Sequence, residues 1–312
     1  MSSHPLRLPY DPELQAVLNG MSFTPTITLD DIPRVRKVTC PTASQALAGQ
    51  AVEHEEHVIA SPEGNLVVSI FSPSTASKAD VEVPHTDKVL RPGMYYIHGC
   101  GMFTGSRFLG VQMVLDWIVK LGVNCVAIEY RLPPEHPYPA PMSTHATELG
   151  IDPDNISIAS TSAGGGLAAG TALLARDRGG PALRAQILEC PMLDDRNNTF
   201  SAKQFATGGT WSQGSNATGW SCLLGGKGNE DDVSICAAPS RATDLSRLPP
   251  TFISAFAYAS TLWKSGVQAE VHVWAGGFHG FMELAPTTAV SIASREARTA
   301  WVQRTLCSNI NT

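Results

Sequence analysis

Short apolar runs bounded by glycine, proline and polar clusters recur along this chain, and from residue 94 onward they alternate with longer stretches of helical periodicity. Residues 94–97, 124–130, 156–160, 184–190, 251–255 and 270–274 are predicted strands, and residues 107–121, 163–177 and 286–306 are predicted helices. Alternation of this kind predicts a mostly parallel sheet with helices on both faces. Ahead of it, residues 55–60 and 66–71, joined by Ser61-Pro62-Glu63-Gly64-Asn65, read as an antiparallel hairpin at one edge, and residues 72–91 as a polar surface connection. Two segments fall outside the alternation: residues 1–51, with several prolines, and residues 194–225, rich in Asn, Thr, Gly and Trp.

Composition narrows the class. A chain of 312 residues with 43% hydrophobic content has material for one large α/β domain. The formal net charge of -6 argues against nucleic acid or an anionic membrane as partner. Residues 1–20 carry no basic-apolar signal and no apolar run is long enough to span a bilayer, so a cytosolic protein is expected. Seven cysteines, scattered through apolar contexts such as Cys125 and Cys190, fit reduced thiols rather than a disulfide framework. None has metal-ligand spacing, and neither a metal nor a cofactor is expected.

The candidate chemistry lies at three turns. Ser160-Thr161-Ser162-Ala163-Gly164-Gly165-Gly166 follows the strand at 156–160 and leads directly into a helix. A serine on such a turn exposes its hydroxyl above the end of the sheet, where the first N–H groups of the helix also point, which makes Ser162 a candidate nucleophile. Ser160 replaces the first glycine of G-x-S-x-G but is small; ordinary Gly/Ser turn chemistry is the alternative reading. Upstream, the strand at 94–97 runs into His98-Gly99-Cys100-Gly101-Met102, an H-G-G-G-like loop. Its Gly99, Cys100 and Gly101 amides, with that of Ala163, are candidate oxyanion donors. Cys100 keeps the N–H but adds a side chain; it reads as a drifted glycine or as a reactive thiol. Downstream, Gly276-Gly277-Phe278-His279-Gly280-Phe281 offers His279 in a glycine-flanked loop after the last strand, the order Ser then His. His272, on the strand itself, reads as structural.

With these motifs, Tyr130-Arg131-Leu132-Pro133-Pro134-Glu135 and the stretch from Arg241-Ala242-Thr243-Asp244-Leu245 to Leu248-Pro249-Pro250 resemble the hormone-sensitive-lipase group of α/β-hydrolases, which includes arylacetamide deacetylases and microbial carboxylesterases. The resemblance runs from about residue 52 to the C-terminus. It implies an α/β-hydrolase fold in one domain, a lid formed by residues 1–51 and 194–225, a small ester as substrate, Ser162 as nucleophile and His279 as base.

Where the family carries a glycine-containing loop whose aspartate completes the triad, this chain passes from Ser254 straight into Ala255-Phe256-Ala257-Tyr258, with no Asp or Glu between Asp244 and Glu270. A similar gap follows Pro141, where Met142-Ser143-Thr144-His145-Ala146 resembles the end of the family's next helix. Both read as lost or skipped coding segments. Asp194, Asp195 and Glu283 are conceivable substitutes for the acid, whereas Asp244 precedes its strand at the far end of the sheet. The short crossover at 257–266 is expected to leave part of the sheet face uncovered, favouring marginal stability or a homo-oligomeric contact. Two functions follow: a weak carboxylesterase of small short-acyl or aryl esters, or a non-catalytic small-molecule binder, as plant gibberellin receptors resemble the family while lacking its full triad.

Overall fold

The computed structural model describes residues 5–60, 64–74, 90–138, 151–227 and 231–307. The strands are β1 (Val52–Ile59), β2 (Leu66–Pro73), β3 (Arg91–Ile97), β4 (Asn124–Glu129), β5 (Ile151–Thr161), β6 (Leu183–Glu189), β7 (Thr251–Ile253) and β8 (Ala269–Val271). They form one sheet in the order β1-β2-β4-β3-β5-β6-β7-β8. The predicted hairpin pairs β1 with β2 antiparallel from Val52↔Pro73 to Ile59↔Leu66, and β2 meets β4 antiparallel. Every other neighbouring pair is parallel, as the alternating pattern predicts.

The helices are α1 (Pro12–Asn19), α2 (Ile32–Val38), α3 (Ala43–Ala46), α4 (Gln112–Leu121), α5 (Ser162–Asp177), α6 (Phe200–Gln204), α7 (Gln213–Leu223), α8 (Phe256–Lys264), α9 (Phe281–Leu284) and α10 (Ala289–Cys307). Successive strand residues face opposite ways, so Ile158, Leu188 and Ile253 pack under α5 and α8 while Ala159, Ile187 and Phe252 pack under α4 and α10. Leu173 and Leu262 seal the first layer and Trp117 and Trp301 the second. Each such side chain contributes roughly 1.5–3 kcal/mol on burial.

Two expectations change. The helix predicted at 107–121 starts only at Gln112, because Gly110 takes a left-handed φ of 69° that a helix cannot include. The crossover after β7, expected to be too short for a covering helix, holds the nine-residue α8. Only Ser254 and Ala255 separate it from the strand, and its Tyr258, Ala259 and Leu262 lie on one stripe buried against the sheet. The sheet face beneath α8 is therefore covered. Phe256 and Trp263, at 67% and 47% exposure, are its outward-facing side chains. The second gap, after Pro141, lies outside the described residues.

The segments expected to form a lid meet each other. Ile27 N–H donates to Ser215 Oγ and Thr218 Oγ1 donates to Ile27 O, joining the N-terminal region to α7. Leu14 of α1, capped at Asp11, packs against Phe278 and Phe281 beside His279.

Candidate active site

β5 ends at Thr161, and Ser162 opens α5 with φ 54°, a left-handed conformation that costs a non-glycine residue about 1–2 kcal/mol. The turn is held by close packing that only glycine permits at position 164: a β-carbon there would lie 2.3 Å from Ser160 Oγ and 2.4 Å from the carbonyl oxygens of Ile97 and His98. Ser160 fits where a glycine was expected because its hydroxyl turns away from the site and donates to Ile97 O, tying β5 to β3.

The second turn carries His279. Gly276 (φ 73°) brings the loop against the backbone of Asp11, whose N–H donates to Gly276 O at 3.0 Å, and Thr210 Oγ1 donates to His279 O at 2.6 Å. So held, the imidazole places Nε2 2.8 Å from Ser162 Oγ. The serine at the strand–helix turn and the histidine after the last strand, separated by 117 residues, are in hydrogen-bond contact.

The third turn borders the same spot. A β-carbon at Gly99 would sit 3.2 Å from Ser162 Cβ and 2.7 Å from Thr161 O, so the loop backbone lies directly against the serine turn. Cys100 (φ 79°), Gly101 (φ 69°) and Met102 (φ 75°) are all left-handed, and among the described residues the N–H groups of Cys100, Gly101 and Ala163 donate to no backbone carbonyl. Cys100 thus follows the glycine-like path at a conformational cost and keeps its N–H. Burial pushes its thiol up to about 12, so the neutral thiol stays unreactive at neutral pH. His98 is fully buried, stacked on Tyr130 at 4.2 Å with Nδ1 3.0 Å from Gly99 O.

The family model described as alpha/beta hydrolase fold matches residues 94–283, which contain all three turns. The chain belongs to the α/β-hydrolase fold family. Within it the relatives are of the hormone-sensitive-lipase-like kind. Esterase LipI of Mycobacterium tuberculosis is 29% identical over 307 residues, covering 87% of this chain and 88% of that protein. Carboxylesterase NlhH of the same organism is 32% identical over 218 residues, 62% of this chain and 67% of that one. The solved Bacterial Heroin Esterase superposes with a TM-score of 0.80 at 32% identity, covering 95% of this chain and 98% of the other.

Among the described residues, no side chain hydrogen-bonds to the side of the His279 ring away from Ser162. The imidazole hydrogen-bonds to Ser162 alone, and among the described residues no carboxylate reaches it. The substitutes considered from sequence are engaged elsewhere. Asp195 is buried in a two-point pair with Arg241 at 2.6 and 2.8 Å, and Asp194 holds Arg196 at 2.7 and 2.8 Å. Glu283, on α9, makes no hydrogen bond to the imidazole, and burial raises its carboxyl. The backbone of Asp244 binds Arg176 near the C-terminus of α5, a helix about 24 Å long whose opposite end holds Ser162. His272 pairs with Glu270 and stacks on Phe252, a structural role.

A cavity of about 650 Å³ opens over the pair, running from Ser162 and His279 past Met192 and Trp211 to Ser254, Phe256 and Val273. Sequence reasoning passed over two of its walls. Trp211, whose ring centroid lies 6.2 Å from that of His279, comes from the irregular segment before α7. Cys190 follows β6 in a left-handed conformation (φ 37°) and its N–H donates to Ser254 Oγ; the Cys-Pro dipeptide after a strand is the available signal.

Burial lowers both His98 and His279 to about 4 from 6.5. Each is neutral in the folded protein near pH 5 but protonated in the unfolded chain, so stability is fully present above pH 6.5 and is lost as pH falls toward 4. For His98, wholly buried, the shift corresponds to roughly 3 kcal/mol. Urea unfolding at pH 7 and pH 4.5 checks this: the midpoint falls at the lower pH, and an unchanged midpoint contradicts neutral burial of these imidazoles.

Proposed function

We propose that this chain is a serine carboxylesterase acting on small, uncharged short-acyl or aryl esters. The observation that carries the reading is the 2.8 Å contact between Ser162 Oγ and His279 Nε2 at the head of α5. His279 accepts the Ser162 proton as Oγ attacks the ester carbonyl. The oxyanion forms beside the amides of Gly99, Cys100, Gly101 and Ala163, of which a single donor is worth ~10²–10³-fold in kcat. Collapse expels the alcohol, which takes the proton back from His279, and a water molecule releases the acid by the same steps in reverse. The relatives named as esterases and the apolar walls of the cavity, Met192, Phe205 and Trp211, support this substrate class.

Turnover is low, because among the described residues no carboxylate accepts from the imidazole or stabilises its charged form. An acid in that position is worth ~10⁴-fold in serine proteases. The same bare imidazole favours a second reading, in which the cavity only binds a small molecule. Reaction with a fluorophosphonate probe separates the two. An esterase labels at one site per chain, Ser162→Ala does not label, and hydrolysis of p-nitrophenyl acetate disappears with the label. A wild-type chain that fails to label supports the binder.

A further inference from the structure

The gap that deprives His279 of its acid also leaves a place for one. The chain turns from β7 into α8 with only Ser254 and Ala255 between, and the cavity that contains Ser162 and His279 extends to these residues and to Phe256, Ala257 and Val273. Among the described residues His279 Nδ1 has no hydrogen-bond partner, and the imidazole lines this cavity. The start of α8 faces the same space. Its N-cap, Ala255, offers no side-chain acceptor, and among the described residues the N–H groups of Phe256, Ala257 and Tyr258 donate to no backbone carbonyl. An imidazole N–H donor in a cavity that the uncapped N-terminus of a nine-residue helix also lines is a receptor for a small anion with two acceptor oxygens.

We infer that the space beside His279 Nδ1 binds a small carboxylate, which completes the catalytic apparatus without being consumed. The carboxylate accepts the Nδ1 proton and stabilises the imidazolium while Nε2 takes the Ser162 proton; when Nε2 returns that proton to the leaving alcohol, the carboxylate is unchanged. It arrives either as a free acid anion or as part of the substrate, in which case the preferred esters are half-esters of short dicarboxylic acids. This deepens the esterase reading and rests on it.

The titratable groups around the imidazole are the Cys190 thiol after β6, pushed up by burial, Glu283 on α9, raised by burial, and Asp194, which is paired with Arg196. None supplies a free negative charge to Nδ1, so an added carboxylate dominates the response.

The experiment has two arms on the intact chain. In the first, p-nitrophenyl acetate hydrolysis is followed in formate or acetate from zero to molar concentration, against chloride at equal ionic strength. The expected result is a saturable rise of at least ~10-fold, part of the ~10⁴-fold that an orienting acid supplies. The rise shrinks with pivalate, which is too bulky, and the acid limb of kcat/KM shifts to higher pH. In the second, a p-nitrophenyl half-ester of succinic acid is compared with the neutral butyrate ester without added anion; a higher kcat for the half-ester names the substrate as the source. A third measurement is independent of turnover: in Ser162→Ala, acetate raises the NMR-observed pKa of His279 saturably. No rate response beyond chloride, in a protein whose activity still depends on Ser162, overturns the carboxylate site and leaves the esterase reading intact. Activity indifferent to Ser162→Ala overturns the esterase reading instead, and an unmoved His279 titration then removes the site as well.

Discussion

Inserting a short segment that contains Gly and Asp between Ala255 and Phe256 raises kcat for p-nitrophenyl butyrate by two to four orders of magnitude, toward the ~10⁴-fold that the acid provides in a serine protease. The site is otherwise assembled: Ser162 and His279 are in contact, the Gly99–Gly101 backbone lies against the serine turn, and the cavity reaches the junction where the segment would enter. His279 is held to about 4 by burial alone, so a carboxylate at Nδ1 restores basicity as well as orientation. The same insertion with Asn in place of Asp is the control. It preserves length and shape without charge, and a gain shared by both versions would assign the effect to loop length. Thermal stability changes little, since α8 already buries Tyr258, Ala259 and Leu262 without the segment. Inserted protein that folds with an unchanged rate, in both versions, shows that His279 is not limited by a missing acid.

The parts of this molecule legible in sequence are those where local backbone geometry restricts residue type. Gly164 and Gly101 stand where a β-carbon would collide, at 2.3 Å with Ser160 Oγ and 2.5 Å with the Trp211 ring, so the serine turn and the Gly99–Gly101 loop announce themselves in glycine spacing. The mostly parallel sheet follows from the alternation of apolar runs with helical stretches, because a parallel sheet buried on both faces needs continuous apolar strands such as 125–128. What could not be read depended on tertiary context. The late start of α4 comes from Gly110 at φ 69°, which lies within an otherwise helix-compatible run, and a single glycine there does not by itself fix a left-handed conformation. The crossover after β7 counts as short for a loop plus a covering helix, yet only two residues connect β7 to the nine-residue α8. Trp211 reaches the His279 ring and Thr210 the His279 backbone carbonyl from a segment with no periodic pattern, and nothing in their local sequence points to that residue.

Replacing the nucleophile gives the second large effect, and it separates chemistry from strain. Ser162→Gly and Ser162→Ala both abolish esterase activity, because neither offers an oxygen to His279 Nε2. Their stabilities differ. At φ 54° alanine keeps the left-handed strain of the native serine, about 1–2 kcal/mol, whereas glycine adopts that conformation freely. Glycine is offset by about 0.5–1 kcal/mol of extra entropy lost on folding at the first turn of α5. Ser162→Gly is therefore expected to unfold at a higher urea concentration than Ser162→Ala, by about 1 kcal/mol. Such a difference marks the serine turn as a place where the fold gives up stability to project a reactive oxygen above the sheet. Equal midpoints for the two variants would show that the turn is relaxed around residue 162. Retained hydrolysis in either variant would remove Ser162 from the reaction altogether.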